Sequence, residues 1–182
     1  GQSCGGPVTR GSDVLLSRSQ GGSIVFDSTV DGAYALSVAT LGSTTFTGAA
    51  GGTTALASLQ IVGGGSTRLF GNVTTADAIT MAGNLLLAGD VALTSTTDKA
   101  IRINGTVNSV GGARALTVDT DGLAVLGGSV GGSSVLSRFT RIGTGGTQLG
   151  GTLSAQDNIA LQGGLSLTAV GGLNSQNGSI TV

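Results

Sequence analysis

Residues Thr47–Gly71 read TGAAGGTTALASLQIVGGGSTRLFG, and residues Gly128–Gly151 read GSVGGSSVLSRFTRIGTGGTQLGG. With Gly48 laid on Gly128, the pair Gly51-Gly52 falls on Gly131-Gly132, Leu56 on Leu136, Leu69 on Leu149 and Gly71 on Gly151. Working outward, Leu36 and Val38 fall on Leu116 and Val118, Gly42 on Gly122, Phe46 on Leu126, and Asp77 and Ile79 on Asp157 and Ile159. All these pairs are 80 positions apart. Further upstream, Ile24, Phe26 and Val30 match Ile101, Ile103 and Val107 at a separation of 77. The three extra residues sit near Ser109–Gly111, a turn-forming place. A phase held over so many residues is an internal repeat, and repeats of this kind build solenoids or arrays.

A shorter beat runs inside the long one. An inward-type apolar residue is followed two places later by a small residue at Phe26/Ser28, Phe46/Gly48, Leu69/Gly71, Leu87/Gly89, Ile103/Gly105, Leu126/Gly128, Leu149/Gly151 and Leu167/Ala169. Successive beats are 20, 23, 18, 16, 23, 23 and 18 residues apart, and the closing SITV reads as the next one. Alternation with period two marks strands with one buried face. One such beat in every ~20 residues, with turn residues between, marks stacked coils.

These patterns predict an all-β fold, a right-handed single-stranded parallel β-helix (β-solenoid) of about eight coils of ~20 residues. Residues 1–13 read as an N-terminal cap or linker, and residues 14–182 as the solenoid. The long repeat divides the solenoid into 14–90, 91–170 and a partial 171–182. An antiparallel sandwich is the competing fold, but it needs hairpins about every 8–12 residues and no long phase.

Composition agrees. Among 182 residues there are 35 Gly and 1 Pro, all nine acids are Asp, and Lys99 is the only lysine. Helix formers such as Glu and Lys are nearly missing, while Thr, Val and Gly suit strands and turns. The single Pro7 lies before the first beat, where it removes no ladder hydrogen bond. A net charge of −1 gives no electrostatic footprint for nucleic acid or an acidic membrane. No apolar run reaches the roughly 20 residues that span a bilayer. The chain lacks a recognisable signal peptide and does not begin with Met, which reads as a processed or excised segment.

With no His and no Glu, the commonest general bases are missing. Ser-His-Asp and Cys-His sites cannot be assembled, and one Cys cannot make a zinc site. No catalytic, cofactor-binding or metal-ligating residue is therefore assigned, no cofactor is expected, and the chain is read as not an enzyme. Asp119 and Asp121, in TVDTDGLAV, are the one acidic pair to follow, because clustered acids cut polysaccharides in some β-helix enzymes. The plainer reading is an Asp-Gly turn, and the stretch offers too few oxygens for calcium.

The glycine runs GGGSTR and GTGGTQLGG lack the Gly-Lys-Ser/Thr end of a phosphate loop, since Lys99 is followed by Ala100. They read as coil corners. Arg138 and Arg141, in LSRFTRI, are expected as solvated side chains flanking an inward Phe139, the alternative being a small ligand-contact patch. Cys4 reads as a free thiol near an exposed terminus, with an intermolecular bridge as the alternative. Asn72-Val-Thr, Asn104-Gly-Thr and Asn177-Gly-Ser fit the glycosylation triplet, as an Asn-, Ser- and Thr-rich chain does by chance. Thr45/Thr47 and Thr94/Thr96 have ice-binding spacing, but no Thr ladder persists from beat to beat.

The string TFTGAAGGTTALASLQI and its echo resemble the degenerate repeats of large bacterial surface adhesins, of the filamentous-haemagglutinin-like and autotransporter-passenger type, over residues 14 to 182. That resemblance implies a right-handed β-helical shaft, export to the bacterial cell surface or extracellular space, and a role in adhesion, biofilm or an extracellular filament. It also implies a slice of shaft from a longer protein. The partners expected are neighbouring repeats or copies of itself through open solenoid ends, and host or matrix glycans or proteins. A carbohydrate-binding or carbohydrate-cleaving β-helix is the alternative function.

Overall fold

The computed structural model describes residues Gly1–Val182. It contains strands and no helix, and every strand pair is parallel. The chain winds through three faces in turn. Face A stacks Gln2–Cys4, Ile24–Phe26, Thr44–Phe46, Thr67–Leu69, Leu85–Leu87 and Val107–Ser109, then continues through Val130 to Leu153–Ala155 and Leu173–Ser175. Face B stacks Val8–Thr9 and Val30–Asp31, passes through Ala50, and runs on from Val73–Thr75 to Ile180–Thr181. Face C is an unbroken eight-stranded sheet from Val14–Arg18 to Leu165–Leu167. The result is the expected β-solenoid of about eight coils. At ~4.8 Å per coil the rod is roughly 40 Å long.

Alternation supplies the core. Strand after strand shows buried, half-buried, buried, and the inward residues merge into one cluster of 33 buried side chains running the length of the rod. Phe26 and Phe46 stack between neighbouring coils, with ring centroids 4.6 Å apart and 12° between planes. Residues 1–13, set apart in the sequence reading as cap or linker, carry strands Gln2–Cys4 and Val8–Thr9, which pair with Ile24–Phe26 and Val30–Asp31. Stacking therefore reaches Gln2.

The coil is longer than the beat suggested. Along face C, Leu59 pairs with Ile79, Ile79 with Ile101, Ile101 with Ala124 and Ala124 with Thr147. Those steps average about 22 residues rather than 20. Eighty residues are then not four coils but eleven faces, or three and two-thirds coils. Leu36–Thr40 on face C has its repeat partner Leu116–Asp119 on face B, and Thr44–Phe46 on face A has Ala124–Leu126 on face C. Each repeat is thus turned back by one face relative to the one before.

The doubled stretch quoted first is an extruded loop. On face B, Ala50 bridges Val73 and Leu56 bridges Thr75, so Gly51–Ala55 bulge outward where the next coil has one residue. On face A, Val130 bridges Leu153 and Leu136 bridges Ala155, with residues 131–135 doing the same. Gly51 and Gly131 open these loops at φ 74° and 71°. A Cβ there would lie 2.0 Å from the Thr74 carbonyl oxygen and 2.2 Å from that of Ser154, so only Gly fits.

Candidate functional site

Corner residues explain where the acids and amides go. The next coil needs partners for the N–H groups that its bends free from the ladder. Asp13 accepts from Ala35 N–H at 2.8 Å, Asp31 from Thr53 N–H at 2.8 Å, Asn72 from Ala92 N–H at 2.9 Å, and Asp90 from Ala115 N–H at 2.9 Å. Asn108 takes the place of Asp31 in the second repeat and accepts from Ser133 and Ser134 at 2.9 and 3.0 Å. These side chains tie one coil to the next.

One surface groove concentrates carboxylates. It has a volume of about 520 Å³ along the edge of face B, and it is lined by Thr94, Asp98, Asp119, Asp121, Thr144 and Gln162 among others. Asp119 ends strand Leu116–Asp119 and points outward, while Asp121 sits exposed in the bend that follows, as the Asp-Gly turn reading has it. Asp121 accepts from the Thr144 N–H at 2.6 Å and from its hydroxyl at 3.0 Å. Those two hydrogen bonds hold its carboxyl below the usual range, with the Arg141 charge adding a smaller pull in the same direction. Asp98, at the groove's other wall, is the one non-glycine residue at positive φ, 61°. Nowhere do three His, Cys, Asp or Glu side chains gather closely enough to hold a metal ion.

Arg141 departs from the expectation of a solvated side chain. Phe139 is inward, as expected, and Arg138 is exposed, but Arg141 is fully buried. It lies two residues from Phe139 on the same strand, so both face the core. The guanidinium donates to the carbonyls of Gly122 at 2.8 Å and Gly145 at 3.1 Å, and to that of Ile142, leaving Nε without a partner. Burial lowers its pKa, and Asp119 and Asp121 oppose that shift. The repeat shows how the cluster arose. The first copy has Ala39, Leu41 and Ile61 where the second has Asp119, Asp121 and Arg141. The equivalent groove in the first copy, about 200 Å³, is lined by Ala39, Leu41 and Val62 beside Arg18. One buried cation and two flanking carboxylates thus stand together where the first copy has three apolar residues.

Other residues singled out in the sequence lie apart. Cys4 is half-buried against the core at the first coil, in register with Phe26, rather than at an exposed terminus. Asn104 and Asn177 are exposed at corners. Thr45 faces outward between inward Thr44 and Phe46. Sequence reading also missed Arg10, which is buried and donates to the carbonyls of Tyr34, at 3.2 Å, and Ala35. The available signal was phase: Arg141 stands at the inward position of Ile61.

No family model, curated protein or solved structure matches the chain. With no helix, it has none long and apolar enough to cross a membrane.

Proposed function

We propose that the chain is a shaft segment of a secreted bacterial cell-surface protein, serving adhesion, biofilm or an extracellular filament as a non-catalytic structural element. The observation that supports this reading most is the engagement of the corner Asp and Asn side chains in bonds between coils, which devotes the chain's polar chemistry to holding a rod together. Low charge and a single thiol suit a durable extracellular element, and coil-by-coil stacking lets folding propagate along the chain outside the cell. Its partners in this reading are copies of itself or neighbouring repeats at the coil ends, and matrix glycans or proteins along the faces.

The carboxylate groove favours a second reading, a carbohydrate-binding or carbohydrate-cleaving β-helix. One experiment separates the two. The chain is incubated with a panel of acidic and neutral polysaccharides, and reducing ends are counted while binding is followed on a glycan array. Inertness toward every polysaccharide, or binding that survives Asp119→Asn and Asp121→Asn, keeps the shaft, whereas binding lost in those variants favours the carbohydrate-binding form of the second reading. New reducing ends that vanish in Asp119→Asn or Asp121→Asn replace it with the enzyme.

A further inference from the structure

We propose that the recess between the corner at 110–114 and the extruded loop at 131–135 binds an anionic saccharide, taking the oxyanion and neighbouring hydroxyls of one sugar unit. This rests on the reading above of matrix glycans as partners along the faces, and it gives that reading a site and a charge.

The recess belongs to the second repeat alone. Three extra residues near Ser109–Gly111 lengthen the corner that leads from face A to face B. The loop at 131–135 rises beside that corner on the following coil. Between them lies a cavity of about 350 Å³, lined by Ser109, Gly111, Gly112, Ser133, Ser134 and Gln156 among others. Small-ligand sites run from about 300 to 1,000 Å³, so the space suits a single sugar unit. In the first repeat the corner is three residues shorter, Tyr34 stands in place of Arg114, and Ala76 in place of Gln156. There Thr53 and Thr54, the counterparts of Ser133 and Ser134, line no cavity.

Its walls carry donors that the fold does not use. The N–H groups of Gly111, Gly112 and Ala113 donate to no backbone acceptor in the chain. Gly111 and Gly112 turn at φ 72° and 124°, and a Cβ on Gly112 would meet nothing within 4 Å, so this stretch of backbone is open to a ligand. Successive N–H groups at such bends form concavities that take anions. Arg114 brings the charge. Its guanidinium makes one long hydrogen bond, to the Gly111 carbonyl at 3.4 Å, and its Nε has no partner. A guanidinium with donors to spare suits a sulfate or carboxylate group. None of the residues lining the recess is acidic, so no carboxylate competes for that place. On the opposite wall, Asn108 accepts from the Ser133 and Ser134 N–H groups at 2.9 and 3.0 Å, which fixes the loop while leaving both hydroxyls for sugar hydroxyls. The carboxylate groove on face B is a separate feature of opposite charge.

The test titrates the full chain with lactose carrying one sulfate, with lactose itself and with inorganic sulfate, each followed by amide chemical shifts. The sulfated lactose is expected to move the Gly111, Gly112 and Ser134 resonances and to bind about tenfold tighter than either other probe. Arg114→Gln is expected to weaken it by about tenfold. Deleting residues 111–113 restores the corner length of the first repeat and is expected to abolish binding while circular dichroism stays that of the parent. Arg102→Gln, which removes an exposed arginine on face C, is expected to bind as the parent does. Equal binding of plain lactose overturns the anionic assignment. Equal binding of inorganic sulfate means an adventitious ion only and overturns the saccharide. No shifts at the recess, or binding that Arg114→Gln leaves intact, overturns the site, and Arg114→Gln alone decides if the deletion unfolds the chain. Sulfated lactose that binds elsewhere on the rod overturns the recess but leaves glycan partners standing, while the reducing-end assay judges the shaft reading separately.

Discussion

Buried threonines of this rod are expected to respond to valine with opposite signs. Thr67 and Thr147 are eighty residues apart, on faces A and C, and each is fully or almost fully buried with a hydroxyl that has no hydrogen-bond partner. Thr120 is equally buried, but its hydroxyl donates to the Lys99 carbonyl at 2.7 Å and accepts from the Gly122 N–H at 2.9 Å. Valine keeps the shape and removes the hydroxyl. At Thr67 and Thr147 it removes a polar group whose burial goes unrewarded, a gain of about 1 kcal/mol per site. At Thr120 it strands a carbonyl and an N–H, a loss of about 2 kcal/mol. Urea unfolding followed by circular dichroism reads the difference. With a slope of about 2 kcal/mol per molar, Thr67→Val and Thr147→Val move the midpoint up by about 0.5 M and Thr120→Val moves it down by about 1 M. Thr44 is left out because it pairs in register with Thr67, and neighbours need not add. If Thr67→Val and Thr147→Val both lower the midpoint, unpaired inward hydroxyls are not a cost in this core, and the reasoning fails.

Replacing Arg141 by Ile, the residue at its first-repeat position, is expected to lower stability by about 2 kcal/mol, because it strands the Gly122 and Gly145 carbonyls, and Arg141→Ala, which leaves a void as well, to lower it further, by about 4 kcal/mol; thermal melts of the two variants decide. Gly51→Ala is expected to cost about 2 kcal/mol or more, because the positive φ and the Thr74 carbonyl both refuse a Cβ. Gly64→Ala, with nothing within 4 Å of the added carbon, changes stability by less than about 0.5 kcal/mol in the same urea assay. Because Asp121 has a lower carboxyl pKa folded than unfolded, its stabilisation is complete above the unfolded value and lost as pH falls through the folded one. Asp121→Asn should flatten that acid limb, which unfolding midpoints measured from neutral pH down to about pH 3 would show.

The period-two pattern carried the fold, because inward residues in a solenoid must be apolar on every coil. What it could not carry was which face each beat belongs to. Phe26, Phe46, Leu69 and Leu87 form one inward column on face A, and Ile103, Leu126, Leu149 and Leu167 another on face C. The short step of 16 between Leu87 and Ile103 is the place where the beat changes face. A change of face leaves no mark on alternation, since all three faces ask for the same chemistry. Read as one column, the eight beats gave the number of coils, about eight, with a length about two residues short of the observed spacing. The charged cluster was hidden for a related reason. Arg141 follows Phe139 at inward phase, but an arginine in that place argues against burial until its carbonyl partners and flanking aspartates are seen in space.

The mismatch between repeat and coil has a mechanical consequence. Were the repeat a whole number of coils, the loops at Gly51–Ala55 and 131–135 would stack along one edge of the rod. Eleven faces per repeat instead place the first loop on face B and the second on face A. A further repeat of the same length would carry its loop to face C, and only three repeats restore the starting face. The same rotation disperses any departure from regularity, such as the interrupted strand pairing beside each loop, so that no single face collects every break in its ladder. Face C illustrates this, running as eight strands without a break while A and B each lose one. A rod built this way has an intact sheet alongside each local defect, which suits a load-bearing element better than a repeat commensurate with its own coil.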